Sequence, residues 1–198
     1  MTINVAGISG SPRRHGDTES LLDSFLEGAG EAGAETEKIV LKTLNYCSCS
    51  GCYACHKKGR CIFRDDITSF FDRIGGFDIL VVASPVYSMT VTADLKALID
   101  RAHPFWSRKF IIQDLFFDQE HFKRHKGVFI STAGQKSDIV FDHCYPVVRA
   151  FFNGTGFDYC KNVVYDDMDT FGGINGHPTA LADAKKSGSE AVDYLTKL

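Results

Sequence analysis

Five of the chain's seven cysteines fall within fifteen residues, "CSCSGCYACHKKGRC", from Cys47 to Cys61. Read from Cys49, the spacing is C-x2-C-x2-C-x5-C over Cys49, Cys52, Cys55 and Cys61. Two-residue gaps let successive thiolates reach different irons of a cubane, so one reading is a [4Fe–4S] cluster. The gap "HKKGR" would let Cys61 close the fourth corner, and His56, Lys57, Lys58 and Arg60 set positive charge beside the thiolates. Free thiols in a packed loop are a second reading. Zinc is a third, although zinc usually takes two separated C-x2-C pairs. A disulfide ranks with zinc behind the other two, because thiols stay reduced in the cytoplasm and a chain of this size can bury a full core without one. Cys47 is an extra thiol, since a C-x-C start suits a cubane less well. Cys144 and Cys160 sit in helix and strand patterns and read as core residues.

A second chemical stretch is "GISGSPRRHGDTESLL", 7–22. It follows an apolar run and opens a helical one. Unpaired backbone N–H groups and the helix dipole favour an anion there. Ser9, Ser11 and Thr18 add hydroxyls, and Arg13 adds a charge. No Lys-Ser/Thr follows Gly16, so this is not a P-loop, and G-x-G-x-x-G is absent. The stretch suits one terminal phosphate; an ordinary turn with a serine cap is the plainer alternative. Two further loops have ligand-like chemistry. "SPVYSMT" at 84–90 combines a stiff Pro85 with the aromatic face of Tyr87. "STAGQKSD" at 131–138 is small enough for a ring edge to approach its backbone.

These loops need a scaffold. Apolar runs at Ile3–Ile8, Thr36–Leu41, Asp78–Ser84, Lys126–Thr132 and Asn162–Tyr165 read as strands. "DILVVAS" is continuous and β-branched, as a strand covered on both faces should be. Helical spacing links Leu21, Leu22, Phe25 and Leu26; Leu95, Leu98, Ile99 and Ala102; and Leu181, Ala184, Gly188, Ala191 and Leu195. A further helix is expected near Asp66–Ile74. Another is expected near Val140–Phe152, kinked or started afresh at Pro146. Strand and helix alternate five times, which predicts an α/β, doubly wound parallel sheet. If the strand order is 2-1-3-4-5, the loops after strands 1 and 3 flank the point where ligands bind.

The bulk numbers narrow the class. The chain has 198 residues, net charge −3, 44% hydrophobic and 24% charged residues. One domain spanning 1–198 is expected. Nothing argues for nucleic acid, no apolar run is long enough for a membrane span, and no signal peptide is apparent, so a cytoplasmic protein is expected. Segment 103–126 carries Phe105, Trp106, Phe110, Phe116, Phe117 and Phe122. These cover a cofactor, a second subunit or the domain's own core. The histidines read as structural or exposed, and Asp100-Arg101 as a local ion pair.

"GISGSPR" at 7–13, the cysteine stretch 47–61 followed by "DDI" at 65–67, and "SPVYSMTVTADLKALIDR" at 84–101 together carry a resemblance over nearly the whole chain. The sequence resembles the flavodoxin-like NAD(P)H-dependent FMN reductase family, and within it the iron–sulfur flavoproteins. The resemblance implies that Ser9, Ser11, Pro12, Arg13, Asp17 and Thr18 surround an FMN phosphate. It implies that Pro85, Val86, Tyr87 and Ser88 line the isoalloxazine, with Ala133 and Gly134 at its other edge. It gives Cys49, Cys52, Cys55 and Cys61 as cluster ligands. It also implies a homodimer or homotetramer, with one subunit's cysteine loop near its neighbour's flavin. Asp17 departs from the family's usual Asn. A carboxylate beside a phosphate must turn away or pair with Arg13 or Arg14, unless it merely caps the helix.

No side chain need act as a catalyst, because the flavin carries the chemistry. The expected function is an FMN-binding oxidoreductase passing electrons from NAD(P)H or a protein donor to a flavin, quinone or other acceptor. The alternative is an electron carrier fed by ferredoxin, with no small substrate. An adaptor that has lost its flavin is a third class, against which the phosphate loop speaks.

Overall fold

A computed structural model describes residues 2–198. Strand β1 (Asn4–Ser9) leads into helix α1 (Asp17–Glu31) and strand β2 (Glu35–Val40). The cysteine stretch follows and contains one short helix, α2 (Cys55–Lys58). Next come α3 (Asp66–Arg73), β3 (Ile79–Ala83) and α4 (Ala93–Arg101). Segment 103–126 holds α5 (His103–Ser107), a π turn at Arg108–Ile112 and α6 (Gln119–Arg124). Then follow β4 (Lys126–Thr132), α7 (Cys144–Thr155), β5 (Asp158–Tyr165), α8 (Met168–Phe171) and α9 (Ala180–Thr196).

The five strands form one parallel sheet in the order β2-β1-β3-β4-β5. Side chains alternate faces along each strand. Leu80 and Val82 of β3 pack on one side with Leu95 and Leu98 of α4, Ile67 and Phe70 of α3, and Val148 and Phe152 of α7. Ile79, Val81 and Ala83 pack on the other side with Leu21, Leu22 and Phe25 of α1 and Ala184 and Val192 of α9. Because both faces are covered, β3 is buried throughout, which is why its sequence lacks polar alternation.

Three expectations need correction. The helix placed near Val140–Phe152 begins only at Cys144, after a run of turns, and Pro146 lies in its first turn, where its missing N–H costs nothing. The fifth strand starts at Asp158 rather than Asn162. It is a sheet edge with mixed burial, so half of it has no apolar run to read. Cys160 is exposed rather than core. The register steps from Tyr159 opposite Gly127 to Lys161 opposite Val128, so Cys160 is the extra residue of a bulge on that edge.

The aromatic segment is helical at 103–112 and 119–124 and irregular at 113–118, and its aromatics differ in burial. Phe105 packs edge-on against Phe71, their ring centroids 5.5 Å apart, and joins the core. Trp106, Phe110 and Phe116 are exposed.

Candidate functional site

The loops after β1, β3, β4 and β5 converge at the carboxyl edge of the sheet around a cavity of about 600 Å³. Ser11, Arg13, Gly16, Asp17 and Thr18 line one part of it. Pro85, Val86 and Tyr87 line another, and Thr132, Ala133 and Gly134 a third. Each of the three loops singled out in the sequence therefore reaches the same space.

The N-terminus of α1 opens onto this cavity. Its cap is Gly16, which offers no side-chain acceptor, so the first-turn N–H groups are left without a side-chain cap. The Ser11 hydroxyl accepts from Arg13 N–H at 3.2 Å and donates to its carbonyl at 3.0 Å, tightening the loop. The hydroxyls of Thr18 and Thr132 meet at 2.5 Å and tie α1 to the end of β4. Thr92 Oγ1 donates to the Gly10 carbonyl at 2.6 Å and also caps α4, so the start of α4 is fixed to the first loop. Arg13 is exposed and has no carboxylate partner among the described residues.

Asp17 is not the N-cap but the first helical residue. Its carboxylate accepts from Ile174 N–H at 2.7 Å and so bends toward the loop after α8. Arg14 is engaged elsewhere, 3.2 Å from the buried Glu19. Burial pushes the Glu19 carboxyl up, but the His15 N–H, Lys38 and Arg14 outweigh it and hold it below the usual range.

Three of the expected residues are off the cavity wall. Ser9 ends β1, buried, and its hydroxyl has no partner. The Pro12 carbonyl accepts from Lys42 at 2.8 Å. Ser88, with Met89, forms a tight left-handed turn (φ 48° and 65°) closed by paired hydrogen bonds between Tyr87 and Thr90. That turn holds Tyr87 at the cavity. Sequence reasoning missed Met168, Asp169, Gly172 and Gly173, which complete the wall. The signal was "DDMDTFGG" directly after strand 5, where positive φ at Asp167, Gly172 and Gly173 marks a built loop.

A second cavity, of about 320 Å³, lies under the cysteine stretch. Cys49, Cys52, Cys55 and Cys61 all line it, together with Phe63, Arg101 and His103. Cys47 is not on its wall. All seven cysteines are free. Burial pushes the Cys55 thiol up, and the converging Cys49, Cys52 and Cys61 push it further. Cys52 is held below the ordinary thiol range by the Ala54 N–H and by Ser50. Four sulfurs facing one space, with one already feeling the other three, is a donor set that fits a cubane. A cubane binds each thiolate through a different iron, and so holds its ligands wider apart than a single ion does.

The wall is braced by Arg101. It does not pair with Asp100, which bonds Lys96 at 2.7 Å. Its buried guanidinium instead grips Asp65 at 2.6 and 2.8 Å, the Cys47 carbonyl at 2.8 Å and the Thr68 hydroxyl at 3.0 Å. Asp65 in turn caps α3 through the Thr68 N–H. One ion pair thus fastens both ends of the cysteine stretch to the end of α4. Two of the histidines, His56 and His103, meet at this wall. Their Nε2 atoms lie 3.0 Å apart beside Cys55. Burial and the neighbouring His56 hold His103 below its usual range.

Comparison with known proteins agrees with this architecture. A family described as NADPH-dependent FMN reductase matches residues 3–145. An iron–sulfur flavoprotein of Methanosarcina thermophila is 32% identical over 200 residues, 98% of this chain and 92% of that protein. One from Archaeoglobus fulgidus is 39% identical over 108 residues, 54% of this chain and 48% of that protein, so the match spans about half of that relative. Among solved structures, an NAD(P)H:quinone oxidoreductase from Methanothermobacter marburgensis superposes with a TM-score of 0.69 at 19% identity, covering 96% of this chain and 95% of that one. At that identity the likeness concerns the fold.

Proposed function

The chain belongs to the NADPH-dependent FMN reductase family, close to the iron–sulfur flavoproteins, and on that premise we propose that it is an FMN-dependent oxidoreductase with a [4Fe–4S] relay. The larger cavity would hold FMN, and Cys49, Cys52, Cys55 and Cys61 would hold the cluster. When bound, isoalloxazine supplies hydride and single-electron chemistry, and the cluster supplies single-electron transfer.

The residues present suit those groups. The uncapped N–H groups of α1, with Arg13, favour a terminal phosphate dianion. The bend of Asp17 toward Ile174 takes its charge off that locus. Pro85, Val86 and Tyr87 offer a flat, partly apolar wall, and Ala133 and Gly134 a small one opposite. A volume of about 600 Å³ lies within the ~300–1,000 Å³ usual for a cofactor site. No side chain is assigned proton transfer; the protein binds, orients and shields.

The observation that carries the reading is the presence of both cavities in one chain, the second lined by all four cysteines of the C-x2-C-x2-C-x5-C run. The donor is NAD(P)H or a reduced protein, and the acceptor a flavin, quinone or other small oxidant. Similarity over 98% of the chain to a protein named iron–sulfur flavoprotein favours a second reading, an electron carrier fed by a ferredoxin-type donor. Stopped-flow reduction of the anaerobic protein separates the two. Fast bleaching of the flavin by NAD(P)H alone supports the reductase. Bleaching only with reduced ferredoxin supports the carrier. Release of a cofactor other than FMN on denaturation overturns both.

A further inference from the structure

His56 and His103 lie 47 residues apart in sequence, yet their Nε2 atoms are 3.0 Å apart. The contact is built rather than incidental. The His103 ring stacks on Trp106 at 5.1 Å and 13°. The His56 ring is flanked by Tyr53 at 4.9 Å and Trp106 at 6.0 Å. The Ser107 hydroxyl donates to the Cys55 carbonyl at 2.9 Å and locks α5 to α2. As two neutral rings the pair makes one hydrogen bond, which would suffice as a staple. A staple, however, does not require a thiol at the same point. The Cys55 Sγ and the two imidazole nitrogens all lie within 4.8 Å of one another, and Cys55 and His103 both face the cysteine cavity.

We propose that Cys55, His56 and His103 form a mononuclear site for a thiophilic divalent cation, zinc or ferrous iron, in the chain that carries no cluster. Thiolate and imidazole are both ligand types that zinc takes, with bonds of about 2.3 Å to sulfur and about 2.0 Å to nitrogen. The fourth position opens into the cavity, where water completes the tetrahedron. Binding releases one proton, from the Cys55 thiol. The imidazole that carried its proton on Nε2 moves it to Nδ1. No oxidant or reductant is needed. Given the cluster reading above, on which this consequence rests, Cys55 cannot serve both groups, so the ion and the cluster exclude one another.

The test uses the full-length, FMN-loaded chain freed of iron and sulfide, with Co²⁺ as the probe. We expect one Co²⁺ per chain, with thiolate-to-cobalt charge-transfer absorption and tetrahedral d–d bands. We expect His103→Gln and His56→Gln each to weaken binding more than about tenfold, as loss of one of three protein ligands should. Retained FMN reports that each variant is folded. Unchanged affinity in the double variant H56Q/H103Q overturns the proposal. So does loss of the cobalt spectrum in Cys49→Ser with retention in H56Q/H103Q, which would put the ion among the four cysteines. In a second arm, Zn²⁺ added before iron and sulfide should block reconstitution of wild type but not of H56Q/H103Q; equal blocking in both overturns the exclusion. If wild type takes up no iron and sulfide even without zinc, the cluster reading fails and the cobalt titration alone decides this site.

Discussion

Arg101 is the side chain on which the cysteine cavity most depends. Its guanidinium is 1% exposed, and burying a charge is tolerable only while the partner stays in place. Arg101→Met should therefore cost about 3–5 kcal/mol by leaving Asp65 desolvated and unpaired, measurable by urea unfolding. A loss below about 1 kcal/mol would mean the pair is not structural. Burial raises the Asp65 pKa, but Arg101 and the Thr68 N–H outweigh it and hold it below the ordinary 3.8. The sign follows: its contribution is full above that value and fades as pH falls through the lower folded value. The stability gap between wild type and Asp65→Asn should thus be widest near neutrality and shrink below about pH 4; a gap independent of pH contradicts the pairing. At the other cavity, Ser11→Glu breaks the hydroxyl bridge to Arg13 and adds a charge near the phosphate locus. Repulsion of about 1–4 kcal/mol at 4 Å, for effective dielectrics from 80 to 20, should weaken FMN binding at least about fivefold in a fluorescence titration. Full flavin occupancy in that variant would place the phosphate elsewhere. At this scale residue types were legible in the sequence and orientations were not. Asp17 could be named, but the acceptor role it takes toward Ile174, 157 residues away, depends on chain closure.

Among the elements, α1 and α9 meet most closely, and two glycines permit it. A Cβ on Gly28 would stand 1.9 Å from the Lys185 carbonyl oxygen, and one on Gly188 would stand 2.0 Å from that of Phe25. Alanine at either site gains up to about 1 kcal/mol of helix propensity, yet forces the backbones apart. Gly28→Ala and Gly188→Ala should both lower Tm, with net losses of about 1–3 kcal/mol or more. A gain in stability would mean the helices are not in contact there. The element order was legible because strands buried on both faces leave continuous apolar runs, as in Ile79–Ala83. Legibility failed where burial was partial or fixed by tertiary contacts. The edge strand Asp158–Tyr165 showed only its second half, and the turns before Cys144 were read as helix. The loops could be placed from the strand ends, but the contribution of Met168–Gly173 to the cavity depends on how β5 aligns beside β4.

Over the whole molecule, Trp106, Phe110, Ile111 and Phe116 are 42, 54, 49 and 84% exposed on one chain segment. That much apolar surface argues for a covered face, and we propose a second copy of the chain as what covers it. Sedimentation should give a homo-oligomer at micromolar concentration, and Phe110→Asp with Phe116→Asp should shift it to monomer; a monomeric wild type contradicts this. The sequence announced the aromatics but not which of them the core would claim, since Phe105 and Trp106 differ only in the side of α5 they occupy. No helix among the described residues is long and apolar enough to cross a membrane. The central claim is that one chain carries both a flavin site and a cluster site. Its most direct test is the stoichiometry of FMN, iron and acid-labile sulfide in protein made and kept without oxygen. The account predicts about one FMN, four iron and four sulfide per chain, with iron and sulfide lowered by serine at Cys49, Cys52, Cys55 or Cys61. Full FMN with iron and sulfide near zero would contradict it.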